Sequence, residues 1–162
     1  MMRPFVLVLL MSGLYFMSFF QRVAVPGTIF NDLQGDFATS AKAVTALSLI
    51  FLFAYAGMQI FIGILADRHG GITVALASGL FLCIGSVAFP FCTNLPMLYL
   101  SRLLVGIGAS GFYLCIIKET DLLFDHRHFA SLIGLFFAIG YSGGLFATSP
   151  FRLLADSYGW RN

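Results

Sequence analysis

The chain has 162 residues, of which 59% are hydrophobic and only 10% charged, with a formal net charge of +2 and a mean hydropathy of +0.93. Soluble domains carry about 25% charged residues, so this sequence lacks the polar surface that a water-soluble globule needs. The small net charge, with no basic run interleaved with aromatics, excludes a nucleic-acid partner and leaves the lipid bilayer as the surrounding medium.

Five apolar segments follow one another, at 5–30, 43–66, 72–91, 97–117 and 129–151, each near the roughly 20 residues that cross a bilayer. The first is interrupted by Gln21, Arg22 and Pro26. Its basic residue Arg3 and apolar run have the layout of a secretory signal. No small-x-small cleavage site follows and the apolar character continues to Phe30, so the segment is read as a retained span. The second and fifth segments carry no charge, the third ends at the turn Cys92-Thr93-Asn94-Leu95-Pro96, and the fourth contains Arg102. Backbone in lipid must satisfy its hydrogen bonds internally, and these runs do not alternate as barrel strands do. The sequence predicts an all-α membrane protein. Cys83, Cys92 and Cys115 sit in or beside apolar stretches without C-x-x-C spacing and read as small apolar side chains. His126 and His128 lie too close together to build a metal site, and no metal, cofactor or catalytic residue is expected.

Asp67, Arg68 and His69 are the only acidic, basic or histidine residues between Lys42 and Arg102, which makes them a very short polar stop between two spans. The pattern Gly63-x-Leu65-Ala66-Asp67-Arg68-x-Gly70 resembles the loop signature between the second and third spans of the major facilitator superfamily of secondary transporters. Gly159-Trp160-Arg161 resembles the segment just before that family's sixth span. The resemblance implies a partial fold, five helices of the first six-helix bundle. The chain is then expected to be an amino-terminal half, cut before span six, whose partner is the missing carboxy-terminal half. It also implies transport of a small solute by alternating access across an inner or plasma membrane. Met1, Asp67 and Asp125 would be cytoplasmic and Asp36, Asn94 and Asp156 outside. The basic residues add a weak bias in the same sense, with Arg3, Arg68, Lys118 and Arg127 inside against Lys42, Arg152 and Arg161 outside.

In this loop, Gly63 would permit close packing and Gly70 the tight turn into span three. Asp67 can accept hydrogen bonds from a helix amino terminus. Arg68 can reach an acid at the end of span four, either Glu119 or Asp121. The resemblance implies that these charges latch the outward-facing state. His69 and Gly71-Ile72 stand where the family commonly has a basic pair, which leaves fewer cationic contacts.

Arg22 lies deep in the first apolar run. A mid-membrane arginine costs about 2.5–3.5 kcal/mol to insert, so it faces a cavity or a partner, unless the span ends at Phe20 and Arg22 snorkels to the headgroups. Its position is similar to the first-span arginine of organophosphate and organic-anion members of the family. That similarity implies a contact to a substrate anion, with Tyr15, Phe19, Gln59 and Tyr113 as cavity neighbours near the midplane. A guanidinium suits the role because it stays charged and offers a planar fork. Residues 99–111 resemble the fourth-span motif, with Arg102 ahead of Gly106 and Gly108 and with Val105 where the family usually has glutamine. Arg102 reads either as an intramembrane base or as a charge near the outer end paired with a loop acid. No acid lies within the five apolar segments, so proton coupling gains no support from them.

Gly106 and Ser110, Gly134 and Ala138, and Gly140 and Gly144 form small-x-x-x-small pairs that let helices approach closely in lipid. The stretch 140–150 lacks the Gly-Pro pair of drug antiporters. Two other functions remain. One is a non-transporting membrane receptor or subunit on the same fold. The other is an intramembrane serine protease, because Gly108-Ala109-Ser110-Gly111 matches the Gly-x-Ser-Gly of rhomboid proteases. The latter needs a histidine base, and no apolar segment contains one.

Overall fold

Each long apolar run folds as a helix, and three of these helices start at a polar side-chain cap. The computed structural model describes residues 2–161, with side chains from Phe5 onward. Helix α1 (Met2–Val23) runs into a five-residue π-turn, Ala24–Thr28. Pro26 falls inside this turn and has no N–H to give the helical ladder, which widens there. A short helix, α2 (Phe30–Asp36), leads to α3 (Ala41–His69), whose start is capped by the Ser40 hydroxyl accepting from the Ala43 amide at 3.3 Å. Gly70, at φ 82°, turns α3 directly into α4 (Gly71–Ala88), a conformation that costs glycine little. A 3₁₀ turn, Phe89–Phe91, closes α4. Asn94 caps α5 (Leu95–Ala109), accepting from the Met97 amide at 3.0 Å. After a one-residue break at Ser110, whose backbone stays helical, the same span continues as α6 (Gly111–Leu123). Asp125 caps α7 (His126–Phe146), and α8 (Ser149–Tyr158) follows.

Among the described residues, five stretches are long and apolar enough to cross a membrane: Phe5–Thr28, Ala41–His69, Gly71–Phe91, Leu95–Leu123 and His126–Phe146. The second and fourth outrun the apolar segments at 43–66 and 97–117, because a capped helix continues into water where hydropathy no longer marks it. The fifth ends at Phe146 instead of running to 151. Thr148 leaves the helical region, with ψ −119°, and Pro150 opens the first turn of α8. The Thr28 hydroxyl donates to the Ala147 carbonyl at this break.

Two apolar clusters fill the bundle. One is built around Tyr15, Phe112 and Phe136, the other around Leu33, Leu47, Leu98 and Phe89. Glycines set the closest helix contacts. A Cβ on Gly108 would lie 2.3 Å from the Leu82 amide nitrogen on α4, one on Gly106 2.6 Å from the Phe51 carbonyl on α3, and one on Gly143 2.1 Å from the Phe16 carbonyl on α1. The pair Gly134 and Ala138 is a correction to the sequence reading. A Cβ on Gly134 would meet nothing within 4 Å, and Ala138 is exposed, so this stripe of α7 points away from the bundle. Gly63 likewise has open space where a side chain would go, and close packing is not its role.

At the end of the bundle away from Asp67, polar contacts tie three connections together. Arg152 of α8 bonds Asp32 at 2.7 Å, the Thr28 carbonyl at 3.0 Å and Asp156 at 2.5 Å. The Trp160 indole donates to Asp36 at 2.9 Å. Arg161 pairs with Asp36 at 3.4 Å and donates to the Pro90 and Cys92 carbonyls of the α4–α5 turn at 3.5 Å.

Candidate functional site

Arg22 lies in the last turn of α1, immediately before the π-turn. Its guanidinium carbon stands 5.6 Å from the centre of the Phe19 ring and 5.8 Å from that of Tyr55. Tyr55 is the central residue of the 29-residue α3. The Arg22 guanidinium thus lies beside the middle residue of the second span. It is exposed and forms no ion pair among the described residues. The acids carried by the spanning helices are Asp67, Glu119 and Asp121. Asp67 lies 12 residues beyond Tyr55 on α3, about 18 Å at a 1.5 Å rise.

From Arg22 a connected group of aromatic rings runs across the bundle. Phe19 meets Tyr141 edge-on at 4.6 Å and Tyr15 edge-on at 5.0 Å. Tyr15 also contacts Phe137 at 5.8 Å, and Phe137 stacks on Tyr113 at 5.1 Å. Edge-on and offset rings of this kind attract beyond their area burial, and they fix the faces of α1, α6 and α7 against one another. Gly140 makes room for the first of these rings, since a Cβ there would lie 2.1 Å from Tyr15 Cδ1. Gln59, one turn along α3 from Tyr55, donates to the Ser110 carbonyl at 3.3 Å, at the break between α5 and α6. Arg22, Tyr15, Phe19, Gln59 and Tyr113 thus belong to one neighbourhood. Sequence reasoning missed Tyr55, Phe137 and Tyr141. The available signal was spacing, because Tyr55 precedes Gln59 by four residues and Tyr141 follows Phe137 by four, which places each pair on one helix face.

Arg102 has a different setting. It is fully buried, with its guanidinium 4.9 Å from the Phe51 ring centre and 6.0 Å from that of Phe89. Its Nη1 donates to the Gln21 carbonyl at 3.2 Å, while Nε and Nη2 have no hydrogen-bond partner among the described residues. The alternative of a loop acid as partner is corrected: α3, α4 and α1 enclose Arg102, and a carbonyl and two aromatic faces take the place of a carboxylate. Gly106, one turn on, allows this enclosure by letting α5 lie against the Phe51 backbone.

The Asp67 end departs from the expected pairings. Asp67 pairs with Lys118 at 2.7 Å, and the same ammonium donates to the Ala66 carbonyl at 2.7 Å, joining the end of α3 to α6. Arg68 is exposed and meets neither Glu119 nor Asp121, because the last turn of α3 directs Asp67, not Arg68, toward α6. The acid at the amino terminus of α4 is Glu119 rather than Asp67. It accepts from the Ile72 amide at 3.1 Å, where the helix dipole favours an anion. Gly71 leaves it space, since a Cβ there would lie 2.6 Å from Glu119 Oε1. Asp121 pairs with His126 at 3.4 Å. Gly63, Asp67, Lys118 and Asp121 line one groove between α3 and α6. Ser110 is buried and donates to the Ile107 carbonyl at 2.6 Å, while the three histidines lie at the end of α3 and the start of α7.

Apolar helices with small residues at their contacts, and with one arginine sealed between them and another on the bundle surface, define one helical bundle of a multi-pass membrane protein. The sequence profile of the Major Facilitator Superfamily matches residues 11–162, and the chain belongs to that family. It is 24% identical over 152 residues to the uncharacterized transporter YybO of Bacillus subtilis (strain 168), covering 94% of this chain and 35% of that protein. It is 28% identical over 137 residues to monocarboxylate transporter 4 of Mus musculus, covering 82% and 28%. It is 30% identical over 135 residues to the sialic acid transporter NanX of Escherichia coli (strain K12), covering 83% and 33%. The chain thus spans about a third of the length of these relatives. No solved structure matches it significantly.

Proposed function

We propose that the chain forms the amino-terminal bundle of a secondary transporter that moves a small organic anion by alternating access, with Arg22 as the anion contact. The observation that carries this reading is Arg22 itself, an exposed arginine beside the middle residue of the second span with no acid partner among the described residues. Such a charge faces a water-filled cavity or a partner, and the acids on these helices sit near the Asp67 end, with Asp67, Glu119 and Asp121 each already engaged. The Phe19 and Tyr55 faces stabilise the guanidinium without neutralising it, so its fork stays free for a carboxylate or phosphate. Two relatives named for monocarboxylates and for sialic acid agree with a carboxylate. In this reading a second bundle covers the Arg22 face, the membrane is the inner or plasma membrane, and the Asp67 end is cytoplasmic.

The test is direct binding to the full-length transporter that carries this chain, with radiolabelled lactate and sialic acid as probes and a neutral sugar as control. Arg22→Lys keeps the charge and loses the fork, and should weaken anion binding about tenfold; Arg22→Gln should weaken it roughly 100-fold. If Arg22→Gln binds both anions as tightly as wild type, the anion reading is wrong.

A further inference from the structure

We infer that Arg102 is a positioning residue for Arg22, acting through the Gln21 carbonyl that its Nη1 holds at 3.2 Å. This rests on the reading of Arg22 as the anion contact. The first span is weakest just where Arg22 needs to be fixed, because the ladder widens to a π-turn at Ala24–Thr28 and Pro26 contributes no N–H. A helix bulged in this way can rotate the turn before it. The bond from Arg102 pins the residue next to Arg22 to the fourth span. The fourth span is itself fixed, since Gly106 rests on the Phe51 carbonyl and Gly108 on the Leu82 amide.

Arg102 is costly for a purely structural role. It is fully buried, and among the described residues Nε and Nη2 have no partner and no carboxylate pairs with it. An apolar side chain of similar length would fill the same space between Phe51 and Phe89 without burying an unpaired charge, but would take the donor away from the Gln21 carbonyl. Filling space therefore gives no reason for an arginine here. Reach does, because a guanidinium is long enough to cross from α5 to the α1 backbone and always has a proton to donate.

The experiment compares Arg102→Met, Arg22→Gln and the double variant in the full-length transporter, with radiolabelled lactate and sialic acid as probes. Arg102→Met should weaken anion binding about tenfold, the loss expected for one hydrogen bond to a charged donor. The double variant should bind no more weakly than Arg22→Gln alone, since one residue acts through the other. Arg102→Lys, which keeps a donor of shorter reach, should fall between wild type and Arg102→Met, and it serves as the test if Arg102→Met does not fold. A probe-free readout accompanies these: an Arg22→Cys variant should change its rate of modification by a charged thiol reagent several-fold when Arg102→Met is added. Wild-type anion binding in Arg102→Met, losses that multiply in the double variant, or an unchanged modification rate would each overturn the proposal. Wild-type binding in Arg22→Gln would instead overturn the anion reading, and the modification rate would still decide whether Arg102 positions residue 22.

Discussion

Two glycines on the same helix should respond in opposite ways to the same substitution. At Gly143 an added Cβ would lie 2.1 Å from the Phe16 carbonyl oxygen and 2.8 Å from its carbon, both backbone atoms of α1. Ordinary contact begins near 3.4 Å, so α1 and α7 would have to separate by about 1.3 Å at that point, an overpacking strain of about 1–3 kcal/mol. At Gly134 the added methyl meets nothing within 4 Å, and alanine gains up to about 1 kcal/mol of helix propensity over glycine. Gly143→Ala gains the same propensity, so the two variants should differ by the strain alone, about 1–3 kcal/mol, which is on the order of one to three degrees in the unfolding midpoint of a protein about three times this length. The assay is thermal unfolding of the purified full-length transporter in detergent, with Gly143→Ala and Gly134→Ala compared against wild type. Separation of α1 from α7 also disturbs the ring contacts between Phe19 and Tyr141, so Gly143→Ala should lose anion binding as well. If the two variants unfold at the same temperature, the α1–α7 contact is not made through Gly143 and the placement of the aromatic group is wrong.

Lys118 should behave as the partner of Asp67: Lys118→Met and Asp67→Asn should slow transport to similar extents and the double variant should be no slower, with little stability change in Asp67→Asn because the carboxylate is exposed. Multiplied losses would separate the two residues. Asp36→Ala removes the acceptor of Trp160 and the ion pair of Arg161, so the buried Cys92 thiol beneath Arg161 should be alkylated several-fold faster by a maleimide, and an unchanged rate would show that this end is held otherwise. Asp156 and Asp32 together hold the Arg152 guanidinium above its ordinary pKa. The stabilisation of a cation with a raised pKa is complete below its unfolded value and is lost only as the pH rises through the folded one, so the penalty of Arg152→Ala should be the same at about pH 6 and about pH 9. A penalty that fades toward the higher pH would point to another group.

The spans were legible because twenty apolar residues without a break leave a chain few alternatives, and hydropathy measures that directly. Their ends were not, because Ser40, Asn94 and Asp125 cap helices outside the apolar runs, where composition carries no signal. Arg22, Tyr15, Phe19, Gln59 and Tyr113 could be named from depth and residue type, and they fall in one neighbourhood spread over α1, α3 and α6. Tyr55, Phe137 and Tyr141 were hidden among 19 phenylalanines and six tyrosines, most of which suit lipid as well as a cavity. The partner of Asp67 was misread for a reason of phase. Lys118 and Glu119 are neighbours on α6 but face different helices, Lys118 the end of α3 and Glu119 the start of α4.

Arg22 and Arg102 show where reading by residue type stops. Both are arginines inside apolar runs, and hydropathy assigns them the same cost. The difference arises from their neighbours. Gly85 and Gly106 have no side chain to hold α4 and α3 away from α5; a Cβ at either would strike backbone, at 2.8 Å from the Val105 nitrogen and 2.6 Å from the Phe51 oxygen. Arg102 is consequently sealed between helices, and its one strong bond is to a main-chain carbonyl, an acceptor that any residue at position 21 would supply. Arg22 stays open on the surface of this bundle, with the Phe19 and Tyr55 rings beside it. The enclosed arginine can only arrange the protein, whereas the open one can meet a solute. The carbonyl of Gln21 lets the first act on the second.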